Sequence, residues 1–186
     1  ACEKYYADIL SGLRQEIRFP ACEDEDIGRR NEEAAARMKA VESVSVHVRR
    51  GDYLDAANRA LFGEICTDAY YDAAIRFIRE RYPAARFFFF SDDTAYVREH
   101  YADGEDEVID WNVGRNSFYD MMLMSCCRHN ICANSTFSFW GARLNDNKTK
   151  CMIRPSIHKN TQKCVPEQMK ELWQGWTLIT PQGGLP

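Results

Sequence analysis

The stretch VHVRRGDY at residues 46–53 places two consecutive arginines directly after an apolar run. Guanidinium groups stay charged at neutral pH and form paired, charge-assisted hydrogen bonds with anionic oxygens such as those of phosphate. We therefore predict that Arg49 and Arg50 hold an anion, with Gly51 permitting the turn that follows. An RGD adhesion signal is the alternative, but here the tripeptide follows a strand and is not displayed on a long loop.

A second group of polar residues occupies a predicted strand-to-helix junction, in the stretch ANSTFSFW. Ser135 and Thr136 offer hydroxyls beside Asn134, and the free N–H groups of a helix start carry partial positive charge. Asp92, after another apolar run, can accept from the N–H groups of a guanine edge or from ribose hydroxyls. Two phosphate contacts and a nucleoside acceptor describe a site for a nucleoside diphosphate.

Each of these residues also has a purely structural interpretation. His47 lies in a β-branched run, where a hydrogen-bonded core histidine is the commoner outcome. Ser135 can cap its helix without any ligand, and Asp92 or Asp93 can cap the helix that follows them. The aromatic residues of the ANSTFSFW helix fit core positions: Phe137, Phe139 and Trp140. The combination therefore favours a ligand site more strongly than any one member does.

Alternating periodicities predict the elements that carry these residues. Apolar positions from Tyr6 to Ile17 repeat at helical spacing and end at Pro20, and a charged connection over residues 23–40 leads into a helix. Five apolar runs then predict strands at residues 44–48, 86–91, 107–111, 129–134 and 150–155. Helices are predicted between them near residues 70–81, 94–101, 117–127 and 135–145.

This alternation is typical of an α/β fold with a doubly wound parallel sheet, whose ligands bind outside the carboxyl ends of the strands. Polar residues should therefore meet at that edge: His47, Arg49, Arg50, Asp52, Ser91, Asp92, Asp93, Asp110, Asn112, Asn134, Ser135 and Thr136.

The composition argues against several other classes of protein. A formal net charge of −4 argues against general affinity for nucleic acid or anionic membranes. The eight cysteines contain neither a CxxC pair nor a zinc spacing, which favours a reduced, intracellular protein over a disulfide framework. The sequence has no secretory signal, no apolar run of about eighteen residues, and no GxGxxG, GxxxxGK[ST] or GxSxG motif. The sequence does not begin with methionine, and its first residues already show helical spacing of apolar side chains. We therefore expect that the chain is a fragment of a longer protein.

Four stretches together resemble the glycosyltransferase family 11 α-1,2-fucosyltransferases, especially the bacterial members. They are HVRRGDY at 47–53, FFFFSDD at 87–93, SFYDMMLMSCCRHNICANSTFSFWGARL at 117–144 and KCMIRPSIHK at 150–159. The HxRRGDY and ANSTFSxWxAxL boxes occur in this order about 85 residues apart, and that combination is specific. The resemblance extends from near Tyr5 to about Trp176.

The resemblance implies the Rossmann-like C-terminal domain of a GT-B glycosyltransferase. Residues 1–40 would be a helical lead-in from a missing or truncated N-terminal domain, and residues 41–186 would bind GDP-fucose. The implied reaction is inverting transfer of L-fucose from GDP-fucose to the 2-hydroxyl of a galactose-terminated oligosaccharide, without a cofactor or a divalent metal. The implied donor-binding residues are His47, Arg49, Arg50, Asp92, Asn134, Ser135 and Thr136, and the implied catalytic residues are Arg49, Arg50 and Asp52. An arginine would neutralise the diphosphate, Asp92 would contact the guanosine, and Asp52 would act as general base or orient an arginine.

Three departures from the family pattern qualify this expectation. The glycine-rich GGLGNQ-type segment is missing, Phe139 stands where many relatives carry tryptophan, and Arg143 occupies a typically apolar or aromatic position. A non-catalytic nucleotide-sugar-binding fragment or module of the same fold is therefore the alternative. The expected location is the cytoplasm, with a peripheral position at the inner membrane face as an option.

Overall fold

A six-stranded sheet forms the centre of the molecule, for which a computed structural model describes residues 2–185. The strands are β1 (Glu42–Val48), β2 (Ala85–Ser91), β3 (Glu107–Ile109), β4 (His129–Ile131), β5 (Met152–Pro155) and β6 (Trp176–Ile179). All neighbours pair in parallel, in the order β3-β2-β1-β4-β5-β6. This is the strand order of the Rossmann fold, in which the direction of winding reverses between β1 and β4. The predicted α/β fold with a doubly wound parallel sheet is confirmed.

Eight α-helices connect and flank the strands. They are α1 (Leu10–Glu16), α2 (Glu25–Ala40), α3 (Ala56–Phe62), α4 (Asp68–Arg81), α5 (Thr94–His100), α6 (Phe118–Cys126), α7 (Thr136–Leu144) and α8 (Pro166–Leu172). Short 3-10 helices cover Glu3–Tyr5, Gly51–Leu54 and Gly114–Asn116. The second of these, directly after β1, shapes the loop that contains the arginine pair.

Strand β2 explains why helices cover both faces of the sheet. Its four phenylalanines are all buried, and successive side chains of a strand point to opposite faces. Phe87 and Phe89 pack in a cluster with α4, whereas Phe88 and Phe90 pack with α2 and α6. Each such burial stabilises the fold by roughly 1.5–3 kcal/mol. The continuous apolar run at residues 86–91 is therefore a strand covered on both sides, as predicted.

Helix α2, within the predicted lead-in of residues 1–40, packs on the same core. The Asp24 carboxylate caps it by accepting from the backbone N–H groups of Asp26 and Ile27, both at 3.1 Å. Ala34 and Met38 on its inner face are fully buried against the sheet. Helix α1, by contrast, buries none of its residues. The domain boundary at residue 40 stays a prediction.

The sheet has one strand more than the sequence predicted. Strand β6 pairs with β5 from Met152–Trp176 to Pro155–Ile179 and lies at the sheet edge. Its four residues follow Gly175, whose positive φ of 81° turns the chain out of the preceding helix. Helices α3 and α8 were also not predicted. Strands β3 and β4 end two and three residues earlier than predicted, where the chain leaves the ladder to form the loops of the site.

Two further observations concern the cysteines and the helices. All eight cysteines lie within the described residues and are free thiols, three of them buried: Cys2, Cys127 and Cys132. Within residues 2–185, none of the helices combines the length and the apolar composition that a membrane span requires.

Candidate functional site

A cleft of about 640 Å³ opens at the carboxyl edge of the sheet, next to the point where the strand order reverses. In open α/β sheets this is where ligands bind, since the loops after the two central strands diverge there. Its walls come from the loops after β1, β2 and β3 and from the first turns of α6 and α7. We call this space the switch-point cleft. Its volume lies in the range typical of small-molecule sites.

Arg49 lies in the wall of the cleft and bridges two carboxylates. Its Nη2 is 2.6 Å from Oδ1 of Asp52, and its Nη1 is 2.8 Å from Oδ2 of Asp92. The 3-10 helix at Gly51–Leu54 brings Asp52 back to the arginine three residues before it. One third of the Arg49 side chain is exposed, so its guanidinium remains accessible from the cleft. Arg49 is thus a fixed and accessible positive group at the switch point.

Arg50, the second arginine, does not line the cleft. Its side chain turns toward α5, where Nε donates to Oδ2 of Asp93 at 3.1 Å and the guanidinium lies 3.4 Å from the Tyr96 ring centroid. Its backbone N–H donates to Oδ1 of Asp92 at 3.0 Å. Asp93 also caps α5 by accepting from the backbone N–H of Tyr96, and that hydrogen bond lowers its pKa. Arg50 therefore fastens the loop to α5 while Arg49 points into the cleft.

His47 is both a core residue and a wall of the cleft. Its side chain is only 6% exposed, and its ring lies 5.8 Å from that of Phe137. Burial lowers its pKa to about 4, so the imidazole is neutral at pH 7. Its Nδ1 has no hydrogen-bond partner among the described residues. A buried polar atom without a partner costs free energy, and a ligand or a water at the cleft could satisfy it.

The three residues of the predicted phosphate contact separate in the structure. Ser135 lines the cleft and caps α7, its Oγ accepting from the backbone N–H of Phe137 at 3.3 Å. Asn134 is buried, and its amide donates to the carbonyl oxygens of Phe62 and His158 at 3.0 and 3.1 Å. Thr136 is exposed and faces a different cavity on the other side of α7. Asn134 thus holds three segments together and does not line the cleft.

The structure therefore brings five of the predicted site residues into one cleft: His47, Arg49, Asp52, Asp92 and Ser135. It places three others outside the wall: Arg50, Asn134 and Thr136. Asp110 and Asn112 after β3, which the fold argument also expected at this edge, line the same cleft.

Asp120, which was not among the predicted site residues, lines the cleft from the first turn of α6. Burial raises the pKa of Asp120 to about 7. A 2.9 Å hydrogen bond from the Asn112 amide acts in the opposite direction, because it favours the ionised carboxylate. Asn112 exchanges two further side-chain hydrogen bonds with Asn31 of α2, at 2.9 and 2.8 Å. The available signal was one carboxylate in the otherwise apolar helical stretch FYDMMLM.

Negative charge predominates among the groups lining the cleft. Among the described residues, four carboxyl groups line it, those of Asp52, Asp92, Asp110 and Asp120, against one guanidinium, that of Arg49. Asp110 is paired with Arg98 and lies 3.6 Å from Arg30, outside the wall. A bound diphosphate would therefore compete with carboxylates for Arg49, and would be favoured by its larger charge. Among residues 2–185, no three His, Cys, Asp or Glu side chains converge in a way that could hold a metal ion.

Known proteins similar to this chain are glycosyltransferases. The chain is 33% identical to an alpha-1,2-colitosyltransferase of Escherichia coli over 83% of its length and 52% of the relative's. It is 36% identical to the O-antigen biosynthesis glycosyltransferase WbnK of Escherichia coli, over 61% of this chain and 38% of the relative. It is 33% identical to galactoside alpha-(1,2)-fucosyltransferase 1 of Leontopithecus chrysomelas, over 74% of this chain and 41% of the relative. Among solved structures, the KpsC beta Kdo 2,4 transferase of Thermosulfurimonas dismutans aligns over 76% of this chain and 48% of that one, with a TM-score of 0.42 and 15% identity.

The chain thus spans about half the length, or less, of the curated relatives it matches. A family model described as Glycosyl transferase family 11 matches residues 9–179, which include every strand of the sheet and the whole switch-point cleft. The chain belongs to glycosyltransferase family 11.

Proposed function

We propose that this chain is the donor-binding part of a galactoside α-1,2-fucosyltransferase, which moves L-fucose from GDP-fucose to the 2-hydroxyl of a terminal galactose. The observation that carries the proposal is Arg49, an accessible guanidinium held between two carboxylates at the switch point of a Rossmann sheet. Family membership supports the reaction class, and the name of the fucosyltransferase relative suggests the sugar and the acceptor.

In the proposed reaction the acceptor oxygen attacks the anomeric carbon of fucose while the carbon–oxygen bond to GDP breaks. Negative charge grows on the β-phosphate, and Arg49 would stabilise it by a preorganised, charge-assisted contact. Ser135 and the first N–H groups of α7 would bind the remaining phosphate oxygens. The proton of the acceptor hydroxyl passes to a base, for which Asp52 is the candidate because it lies in the cleft beside Arg49.

Asp120 would select guanine as the base of the donor. An ionised carboxylate can accept from both N1–H and the 2-amino group of guanine, whereas adenine offers no such pair of donors. Because burial raises the pKa of Asp120 to about 7, binding of guanine would favour the ionised form and release a proton near neutral pH. GDP binding should therefore depend on pH in a way that ADP binding does not.

The colitosyltransferase relative supports a second donor, a nucleotide-activated colitose. Arg49 would stabilise a leaving diphosphate in the same way for either sugar. A non-catalytic nucleotide-sugar-binding module is the further alternative. Location in the cytoplasm and peripheral contact with a membrane stay predictions from the sequence.

Calorimetric titration with GDP and ADP, followed by incubation with GDP-fucose and lactose, tests the proposal. We expect GDP to bind at least about tenfold more tightly than ADP, because the unpaired carboxylate would penalise adenine. Mass spectrometry should then detect a fucosylated trisaccharide and released GDP. GDP binding without product would support donor binding and reject catalysis by this chain alone, and equal affinity for the two nucleotides would reject base selection by Asp120.

A further inference from the structure

Three side chains connect helix α2 to the carboxyl group of Asp120 in the switch-point cleft. Asn31 of α2 and Asn112, in the loop after β3, are both buried. Their amides exchange two hydrogen bonds, at 2.9 and 2.8 Å, and the amide of Asn112 also donates to Oδ1 of Asp120 at 2.9 Å. The indole Nε1 of Trp111 donates to Oδ1 of Asn31 at 2.8 Å. We call Trp111, Asn31 and Asn112 the amide network.

The indole N–H of Trp111 gives the amide network one direction. An indole nitrogen can only donate, so the part of the Asn31 amide that faces it must be the oxygen. The Asn31 nitrogen then faces the oxygen of Asn112, and the two N–H groups of Asn112 point to Asn31 and to Asp120. Rotation of the Asn112 amide by half a turn would set oxygen against oxygen and leave buried donors without partners. The amide network therefore presents a donor to Asp120.

A donor at this position favours the ionised form of Asp120. An ionised carboxylate can only accept hydrogen bonds, whereas a protonated carboxyl group also has an O–H to donate. Burial raises the pKa of Asp120, and the hydrogen bond from Asn112 acts in the opposite direction. An Asn112 amide turned the other way would accept from the protonated form and would add to the effect of burial.

The charged groups on the elements around Asp120 do not replace this hydrogen bond. They are Arg49, Asp52, Asp92 and Asp110 in the wall of the cleft, Arg30 of α2 and Arg143 of α7. Arg49 is held between two carboxylates, and Arg30 lies 3.6 Å from Asp110. Within α6, Asp120 is the one charged side chain. Burial and the hydrogen bond from Asn112 together set the pKa of Asp120.

We propose that Asn31 and Trp111 are positioning residues for base recognition, which hold the Asn112 amide with its N–H toward Asp120 so that the carboxylate meets the guanine edge as an acceptor. This inference rests on the proposed role of Asp120 in base selection. Neither Asn31 nor Trp111 is in the wall of the cleft, so both act through Asn112 and not on the nucleotide. Helix α2 thereby becomes part of the nucleotide site.

Two substitutions in the amide network test the proposal. Trp111→Phe keeps an aromatic ring and removes the indole N–H, so that the amides of Asn31 and Asn112 can both turn. Asn31→Leu removes the partner of Asn112 altogether. Asn145→Leu is the matched control, since Asn145 is an equally buried amide with its own hydrogen bonds outside the cleft. Calorimetric titration with GDP and ADP from pH 6 to pH 8.5 and carboxyl-carbon NMR titration of Asp120 without nucleotide are the two measurements.

We expect GDP affinity at pH 7 to fall about fivefold in Asn31→Leu and less in Trp111→Phe, and to approach the wild-type value at pH 8.5, where the carboxyl group is ionised. The NMR midpoint of Asp120 should move to higher pH in both variants. Asn145→Leu should change neither the pH profile of GDP affinity nor this midpoint.

A loss of GDP affinity that is equal at every pH would indicate a merely structural role and overturn the proposal. An unmoved NMR midpoint in both variants, in a chain that prefers GDP to ADP, would reject the amide network and leave the proposed function standing. A moved midpoint in a chain without that preference would do the reverse, since it would reject base selection by Asp120. Should Asn31→Leu fail to fold, Trp111→Phe decides alone.

Discussion

Gly51 lies directly against the carboxylate of Asp92. A β-carbon at Gly51 would stand 2.4 Å from Oδ2 and 3.0 Å from Cγ of that side chain. The φ of Gly51 is outside the left-handed region, so the glycine is needed for close approach and not for a special backbone angle. The same carboxylate accepts from the backbone of Arg50 and pairs with Arg49. The glycine of RRGD therefore makes room for the group that orients the cleft arginine.

Gly51→Ala should weaken GDP binding by about tenfold to a hundredfold, since displacement of Asp92 misplaces Arg49. The variant should remain folded, because the site lies at the surface edge of the sheet. Gly12→Ala is the matched control, as no atom lies within 4 Å of a β-carbon there. The Gly12→Ala substitution should stabilise α1 by up to about 1 kcal/mol and leave GDP affinity unchanged. Calorimetry that finds equal GDP affinity in both variants would contradict the role given to this contact.

The two arginines should respond differently to substitution, although the sequence predicted that both hold an anion. Arg49→Ala removes the accessible guanidinium and leaves Asp52 and Asp92 facing the diphosphate, so GDP binding should fall on the order of a hundredfold. Arg50→Ala removes an ion pair with Asp93 and a contact with Tyr96 outside the cleft. Its main effect should be a stability loss of about 1 kcal/mol, with a smaller loss of affinity. Calorimetry and urea unfolding of the two variants separate these effects, and equal losses of affinity would show that both arginines contact the ligand.

The elements that position the site were predictable because their signals are local. The apolar run of β2 and the strand before Arg49 are long and bounded by polar residues, so their burial follows from the pattern. Strand β6 was missed since its four residues stabilise the sheet only through pairing with β5. Local pattern carries no information on such a partner.

The composition of the cleft was predictable only in part, because side-chain direction depends on tertiary contacts. Adjacent residues at one strand end diverge: Arg49 faces the cleft while Arg50 finds Asp93 and Tyr96 on α5. Likewise Ser135 enters the cleft, whereas Asn134 is held by carbonyl groups of distant segments. No spacing rule distinguishes neighbours of this kind before the fold is known.

Titration of Asp120 should lower the stability of the chain as pH rises. Burial raises its pKa from 3.8 to about 7, so between these values the folded chain keeps a proton that the unfolded chain has lost. The contribution of Asp120 to the free energy of unfolding is therefore fully present below about pH 4. It is lost progressively up to about pH 7, and it amounts to a few kcal/mol. Asp120→Asn should remove this dependence and be more stable than wild type at pH 8.

Urea unfolding at pH 5 and pH 8 checks the effect. Asp72→Asn, which changes an exposed carboxylate of α4, is the control and should keep the wild-type difference between the two pH values. His47 acts in the opposite direction over an overlapping range, since burial lowers its pKa from 6.5 to about 4. The contribution of Asp120 is therefore the difference between wild type and Asp120→Asn. Wild-type and Asp120→Asn curves that run parallel from pH 5 to pH 8 would rule out the raised pKa of Asp120.

Arg154 is a fully buried guanidinium whose removal should not harm the fold. It lies 3.6 Å from the ring centroid of Trp173, its Nε donates to the Pro155 carbonyl at 3.1 Å, and neither Nη has a hydrogen-bond partner among the described residues. Burial lowers its pKa to about 10, which reflects the cost of keeping the charge. Replacing even a buried ion pair by apolar side chains is often neutral or stabilising by about 1–4 kcal/mol, and Arg154 has no carboxylate partner among the described residues to offset its desolvation.

Arg154→Met should therefore be as stable as wild type or more stable in urea, because methionine keeps the flexible stem and the contact with the ring. Trp173→Ala, which removes the ring itself, should lose about 3–5 kcal/mol. Arg81→Met is the matched control, as Arg81 lies 5.2 Å from the Phe77 ring but is exposed, and it should change stability by less than about 0.5 kcal/mol. A loss of more than about 2 kcal/mol in Arg154→Met alone would mean that the cation–π contact outweighs the desolvation of the guanidinium.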